Sequence, residues 1–258
     1  MRNIRYILAT AFALLCLAAA SAQSDSLSSM ARWERAQQAY VDGDYARAAE
    51  EYQAIADGGE YSLKLHYNLG NAYFKLGNMG RAILHYNRAQ RLAPSNEDVK
   101  HNLALAEAQT KDRITAVPEF FVRTWVRALQ NSMSCTAWSI LSLVAAALLL
   151  VMVLLFLLGR RLVVRKVGFY GGVVMVLLFV ATTSFAVAER NDILSREEAV
   201  VMSSAISVKS SPDRSATDLF VLHEGTKLRI LAEVDGWYEI VIADGKKGWI
   251  ESRSVEQI

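Results

Sequence analysis

The sequence predicts a multidomain membrane protein with three parts: an α-helical repeat stack, two transmembrane helices and a small all-β barrel. Three observations carry this. A pattern of small, aromatic and helix-breaking residues recurs at an offset of 34 residues. Two runs, 137–158 and 167–188, contain no charged side chain. The C-terminal stretch from Ala199 alternates apolar and polar residues with turn dipeptides between the runs.

Composition sets the outer bounds. The 258 residues are 53% apolar with a mean hydropathy of +0.18, more than a purely soluble chain carries. The formal net charge of +2 gives no electrostatic footprint for nucleic acid. The N-terminus reads as a signal peptide over 1–22. Arg2 and Arg5 precede the apolar stretch ILATAFALLCLAAA, and Ala20-Ser21-Ala22 offers the small residues that a signal peptidase reads. Cys16 sits in that stretch behind Leu15, where a lipidated cysteine would follow a small residue. Removal of Cys16 leaves Cys135 as the one thiol, so no internal disulfide is expected.

The helical part is expected over 23–112. GDYARAAEEYQAI from Gly43 and GNMGRAILHYNRA from Gly77 align at that offset, pairing Ala48 with Ala82 and Tyr52 with Tyr86. Lys100-His101-Asn102-Leu103-Ala104 repeats His66-Tyr67-Asn68-Leu69-Gly70 at the same offset. Small residues sit where paired helices cross closely, aromatics fill the gaps, and Pro94 ends a helix. Leu69, Gly70, Tyr73, Ala82, Tyr86, Ala89 and Pro94 make this region resemble tetratricopeptide repeats, although His66 stands at the usual tryptophan. The first copy is looser, with Trp33, Ala36 and Tyr40 in register only after a one-residue shortening. The third lacks its second helix and reads as a cap. The resemblance implies a peptide-binding groove, placing Glu34, Gln38, Lys64, Tyr67, Asn71, Lys75 and His101 in it. The plainer reading of each is a solvated surface residue.

An interfacial amphipathic helix is expected over 117–132, where Phe120, Phe121, Trp125 and Leu129 alternate with Arg123 and Arg127 behind Pro118. The plainer reading is an extension of the first span. The runs 137–158 and 167–188 are each long enough to cross a bilayer core. Arg160, Arg161, Arg165 and Lys166 in the connection 159–166 place that loop in the cytoplasm, because basic residues resist translocation. Both large parts then face the periplasm from the inner membrane. The pairs Gly168/Gly172 and Ser142/Ala146 are spaced for close helix approach.

The segment 196–258 reads as about five strands in a small barrel, with turns at Glu224-Gly225-Thr226, Asp235-Gly236 and Asp244-Gly245. Val208, Ser210-Ser211-Pro212, Leu222-x-Glu224-Gly225-Thr226, Gly236-Trp237 and Gly248-Trp249-Ile250 resemble a bacterial SH3 domain. Trp237, Tyr238 and Trp249 form the expected ligand face, with one tryptophan expected in the core. That face suits a protein segment or peptidoglycan.

No catalytic or cofactor constellation is legible. His66, His85, His101 and His223 show no zinc-ligand spacing, and no phosphate loop or nucleophile motif appears. The chain is therefore expected to be non-enzymatic and without a cofactor. The order of parts, with PEFFVRTWVRALQ before the hairpin, resembles the BatE family, the E proteins of the Bacteroides aerotolerance operon. That resemblance implies an adaptor in a stress-related membrane complex. Its partners would be von Willebrand factor A type membrane proteins and the lipid bilayer, with no nucleic acid.

Overall fold

A computed structural model describes residues 28–258 except 116, 118, 119, 195 and 196. The expected signal peptide (1–22) and the helix-opening Pro118 lie outside the described residues. The chain divides into two compact units, 1–78 and 79–258.

Among its described residues the first unit holds three helices: α1 (residues 28–41), α2 (Tyr45–Asp57) and α3 (Leu63–Lys75). Asp44 caps α2 by accepting from the Arg47 N–H, and Ser62 caps α3 by accepting from the Leu65 N–H. Gly58 ends α2. Ala36, Ala39, Ala48 and Ala49 are buried, which lets neighbouring helices approach closely. Trp33 stands edge-on to Tyr52 at 5.2 Å, and the Tyr52 hydroxyl accepts from Asn68 Nδ2 at 3.3 Å. Arg32 and Arg35 of α1 both bind Glu51 of α2, at 3.2 and 2.8 Å. Their guanidinium hydrogen bonds hold the Glu51 carboxyl below its ordinary range, with the Arg35 bond the largest cause. His66 is buried, with the Tyr61 ring against it at 4.4 Å.

The second unit opens with α4 (Met79–Leu92) and α5 (Glu97–Glu107), which pack together. On α4 the signature residues Ala82, Tyr86 and Ala89 are fully buried. Among the described residues no helix follows α5 before Phe121; a turn and a stretch without regular structure lead on to Thr115. Next come α6 (Phe121–Gln130), α7 (Cys135–Leu158) and α8 (Leu162–Leu194). Both α7 and α8 are long and apolar enough to cross a membrane. The connection is shorter than the expected 159–166, because Arg165 and Lys166 already belong to α8. That helix also runs past Ala188 to Leu194, since no glycine or proline interrupts it.

The α7–α8 contact is close at Gly168. A Cβ there would lie 2.5 Å from Phe156 N and 2.8 Å from Met152 O. At Gly172 a Cβ would meet only Met152 Cβ at 3.8 Å, an ordinary contact. Ser142 and Thr183 hydroxyls bond across the pair at 2.7 Å.

The β domain has seven strands: β1 (Glu198–Val201), β2 (Ala205–Lys209), β3 (Asp218–His223), β4 (Lys227–Val234), β5 (Trp237–Val241), β6 (Lys247–Glu251) and β7 (Val255–Gln257). The order is β3-β2-β6-β5-β4-β1-β7, and every pairing is antiparallel. Seven replaces the expected five because two of the expected runs each hold two strands: the chain turns at Gly225 between β3 and β4, which do not pair with each other, and at Gly245 between β5 and β6, which do. Between β4 and β5 the two-residue turn Asp235-Gly236 has positive φ at both positions, 47° and 80°. That conformation matches the twist of the flanking strands. Val201, Val208, Leu222, Leu228, Ile240, Ile242 and Ile250 meet in one core. Ile114, from the segment after α5, packs against that core too.

Two glycines four residues apart therefore predict opposite outcomes. Gly168→Ala destabilises the hairpin by about 1–3 kcal/mol, because its Cβ meets backbone that must shift. Gly172→Ala is near neutral. Thermal unfolding of the detergent-solubilised full chain compares the two.

Candidate functional site

Two surfaces hold most of the residues that sequence singled out, and a third feature, unforeseen, joins α4 to the β domain.

On α3, Lys64, Tyr67, Asn71 and Lys75 recur at three- and four-residue steps and share one face. Lys64 and Lys75 are exposed, while Tyr67 and Asn71 are half-buried. Glu34 and Gln38 share a face of α1 and are exposed; Gln38 Nε2 donates to Asp42 Oδ1 at 2.8 Å. The two helices are neighbours. The Tyr40 phenol of α1 is pushed up by burial first and then by the nearby Tyr45 and Tyr67 phenols. Lysine ammonium groups and an Asn amide on one such face can hold a carboxylate or a peptide backbone. In the second unit, His101 is exposed on α5.

On the β domain the pleat separates the expected trio. Trp237 pairs with Glu251 and Glu239 pairs with Trp249 across β5 and β6. Trp237, Glu239 and Trp249 thus point to one side, with the tryptophans diagonal neighbours about 7–8 Å apart at Cα. Tyr238 points to the other side, where it packs against the core. It leaves the expected ligand face because successive strand residues alternate. Neither tryptophan is fully buried. The bulky filling expected of one comes from Ile240, Ile250 and Tyr238 instead. Glu251 beside them accepts from Arg214 at 2.8 Å and from Arg253 at 2.6 Å.

The third feature is a polar clamp within the second unit. At the start of α4 the Gly80 N–H, one of the helix's unsatisfied donors, donates to Glu224 Oε1 at 2.8 Å. Glu224 is a remote N-terminal cap, and its negative charge suits that end of the helix dipole. A side chain at Gly80 would collide with it, at 2.8 Å from Glu224 Cγ. Toward the other end of α4, Arg88 Nη2 donates to Gln257 O at 2.6 Å and binds Glu256 at 3.1 Å. Arg91 donates to Ile258 O at 2.8 Å and binds Glu198 at 3.2 Å. Lys227 bridges Glu198 at 3.1 Å and Asn87 Oδ1 at 3.1 Å. Beyond α5, Asp112 accepts three bonds: from His223 N–H and Thr226 Oγ1 at 2.7 and 2.6 Å, and at the His223 ring at 2.7 Å. Between these, Gly225 presents no side chain where Thr110 and Ile83 approach.

Electrostatics tie the clamp together. Burial pushes the Asp112 carboxyl up, but hydrogen bonds from Thr226 and His223 outweigh it and hold it below its ordinary range. Glu198 is held low in the same way: burial opposes, and Lys227 and then Arg91 prevail. Sequence gave no sign of these contacts, because their partners lie more than 100 residues apart. Among the described residues, no three His, Cys, Asp or Glu side chains are grouped to hold a metal ion.

Residues 204–256 match the family model of the bacterial SH3 domain, and residues 63–96 match that of the tetratricopeptide repeat. The helical match takes in α3 and α4; the β match leaves out β1, Asp112, Ile114 and Ile258. No curated protein matches the chain.

Removing a clamp contact loosens α4 and the β domain together. Glu224→Ala and Arg91→Ala each cost about 1–3 kcal/mol, read as faster amide exchange in α4 and a lower Tm of the full chain. Arg91→Ala combined with Glu198→Ala costs less than the sum. The clamp also weakens in acid. Asp112 and Glu198 have depressed folded-state values, so their contribution is complete above their unfolded values of about 4. It is lost as pH falls through the folded values. Protection of the His223 amide, corrected for intrinsic exchange, follows that loss.

Proposed function

We propose that the chain is a non-enzymatic, membrane-anchored adaptor that mediates protein–protein interactions. The carrying observation is the shared face of Lys64, Tyr67, Asn71 and Lys75 on a matched tetratricopeptide helix, with a second recognition domain in the same chain. Helices α7 and α8 supply the anchor. Arg160 and Arg161 in their connection, with Arg165 and Lys166 on the first turns of α8, favour a cytoplasmic hairpin tip. Both recognition modules then lie on the periplasmic side of the inner membrane.

The resemblance to the BatE family supports a place in an aerotolerance or stress-related membrane complex. Membrane proteins with von Willebrand factor A type domains are its candidate partners. A partner's carboxylate or backbone would meet Lys64, Asn71 and Lys75, with Tyr67 as an apolar floor. Glu34 and Gln38 on α1 would select for donors beside it.

A second reading, cell-wall binding, is favoured by the diagonal neighbours Trp237 and Trp249 on the side of β5–β6 away from the core. Indole faces suit sugar rings and peptides.

Crosslinking in the native membrane, followed by mass-spectrometric identification, tests the adaptor reading. It is expected to join residues of α1 and α3 to a membrane protein, and Asn71→Ala with Lys75→Ala reduces that product several-fold. Failure of the intact chain to crosslink to any protein overturns it. Co-sedimentation of the full chain with purified wall material, lost in Trp237→Ala, selects the second reading. The full chain is used because Asp112 and Ile114 belong to the β domain's surroundings.

A further inference from the structure

The surface not used above is α6. Its ten residues carry two opposed faces. At 3.6 residues per turn, Phe121, Val122, Trp125, Val126 and Leu129 fall within an arc of about 140°. Arg123 and Arg127 lie on the far side. Every residue of the apolar arc is exposed, Trp125 by 75% and Phe121 by 60%. A protein does not leave such a face to water.

The helix is fastened to the hairpin at one end. Gln130 Nε2 donates to Glu189 Oε2 at 3.3 Å and to Asp192 Oδ2 at 3.0 Å, both on α8. Trp138 Nε1 of α7 donates to Gln130 O at 2.9 Å. Trp138 is itself buried against Phe185 of α8, with ring centroids 4.9 Å apart. The last turn of α6 is therefore bonded to both long helices where their apolar surface gives way to Glu189, Arg190, Asn191 and Asp192. The apolar side chains also continue along the chain: exposed Met133 follows α6, and exposed Ile140, Leu141 and Leu143 follow on α7.

We infer that α6 is a foot inserted into one leaflet of the bilayer, locked to the mouth of the hairpin by Gln130 and Trp138, with its arginine face turned away from lipid. The inference rests on the reading of α7 and α8 as membrane spans. The occupant of the apolar face is lipid because that face continues the hairpin's lipid-facing surface, and because its aromatic residues stand where the apolar belt meets polar groups. The arginines face the opposite way, so apolar burial drives the contact and anionic headgroups do not. This distinguishes α6 from a basic helix that binds through charge.

Spin labels on the full chain in phosphatidylcholine bilayers test this. Cys16 and Cys135 are replaced by serine, and single labels are placed through Val126→Cys, Arg127→Cys and Leu150→Cys. Collision with oxygen reports lipid; collision with a water-soluble nickel chelate reports solvent. The expected result is oxygen-only access at 150, several-fold preference for oxygen at 126, and the reverse at 127. Raising the salt leaves the 126 signal unchanged. Nickel access at 126 equal to that at 127, with 150 still oxygen-only, overturns the foot and leaves the spans intact. An immobilised label at 126 reached by neither reagent overturns it in favour of a protein partner or a second copy. Nickel access at 150 overturns the membrane reading itself, and the foot with it.

Discussion

The ion and hydrogen-bond clamp between α4 and the β domain is the interaction on which the organisation of the second unit depends. Helix α4 has a buried apolar side but also presents Gly80, Arg88 and Arg91 to strands far along the chain. Each contact resolves a local problem. Glu224 satisfies a donor that the helix start leaves open. Arg88 and Arg91 satisfy carbonyls of β7 and Ile258. Asp112 accepts from an edge-strand amide of β3 that no strand pairs. A buried polar group without a partner is costly, so these groups are placed to satisfy one another.

The clamp also decides which surfaces are left for recognition. The β3–β4 turn, β1 and the C-terminal strand are engaged with α4 and the segment after α5. The segment after α5 also reaches the β5–β6 turn, where the Val117 N–H donates to Ala243 O at 3.1 Å, while Trp237 and Trp249 stand on the side of β5–β6 away from the core. With α5 as its main helical neighbour in the second unit, α4 would leave apolar surface exposed. Here Ile83 of α4 meets the β3–β4 turn, and Ile114 reaches the β core. The β domain acts as a cap for α4 and not as a bead on a string. Tethering through a flexible linker, the usual route to raised effective concentration, does not describe these contacts.

The apolar hairpin follows a different logic. On the membrane reading no hydrophobic force acts between helices in lipid, and packing depends on close approach and on shared polar groups. Gly168 supplies the first, and the Ser142–Thr183 bond supplies the second. The polar end of α8 then holds α6. On the membrane reading, specificity at that end comes from hydrogen bonds to Gln130, whose amide can donate to two carboxylates at once.

The sequence by itself determined the parts. Periodicity set the type of each element: steps of three and four made helices, steps of two made strands, and charge-free runs made α7 and α8. Local chemistry set many boundaries, as with the caps Asp44 and Ser62 and the turn Asp235-Gly236, because caps and turns involve neighbours in the chain. The shared faces of Lys64, Tyr67, Asn71 and Lys75 on α3 and of Glu34 and Gln38 on α1 were legible for the same reason, as helical spacing alone sets them. Tertiary structure decided what spacing cannot carry. It sent Tyr238 inward and the tryptophans outward, since the pleat assigns sides only once register is known. It assigned the close approach to Gly168 and not Gly172, since that depends on where two backbones cross. And it joined Gly80 to Glu224 and Asp112 to His223, because complementarity between distant polar groups leaves no period in a sequence.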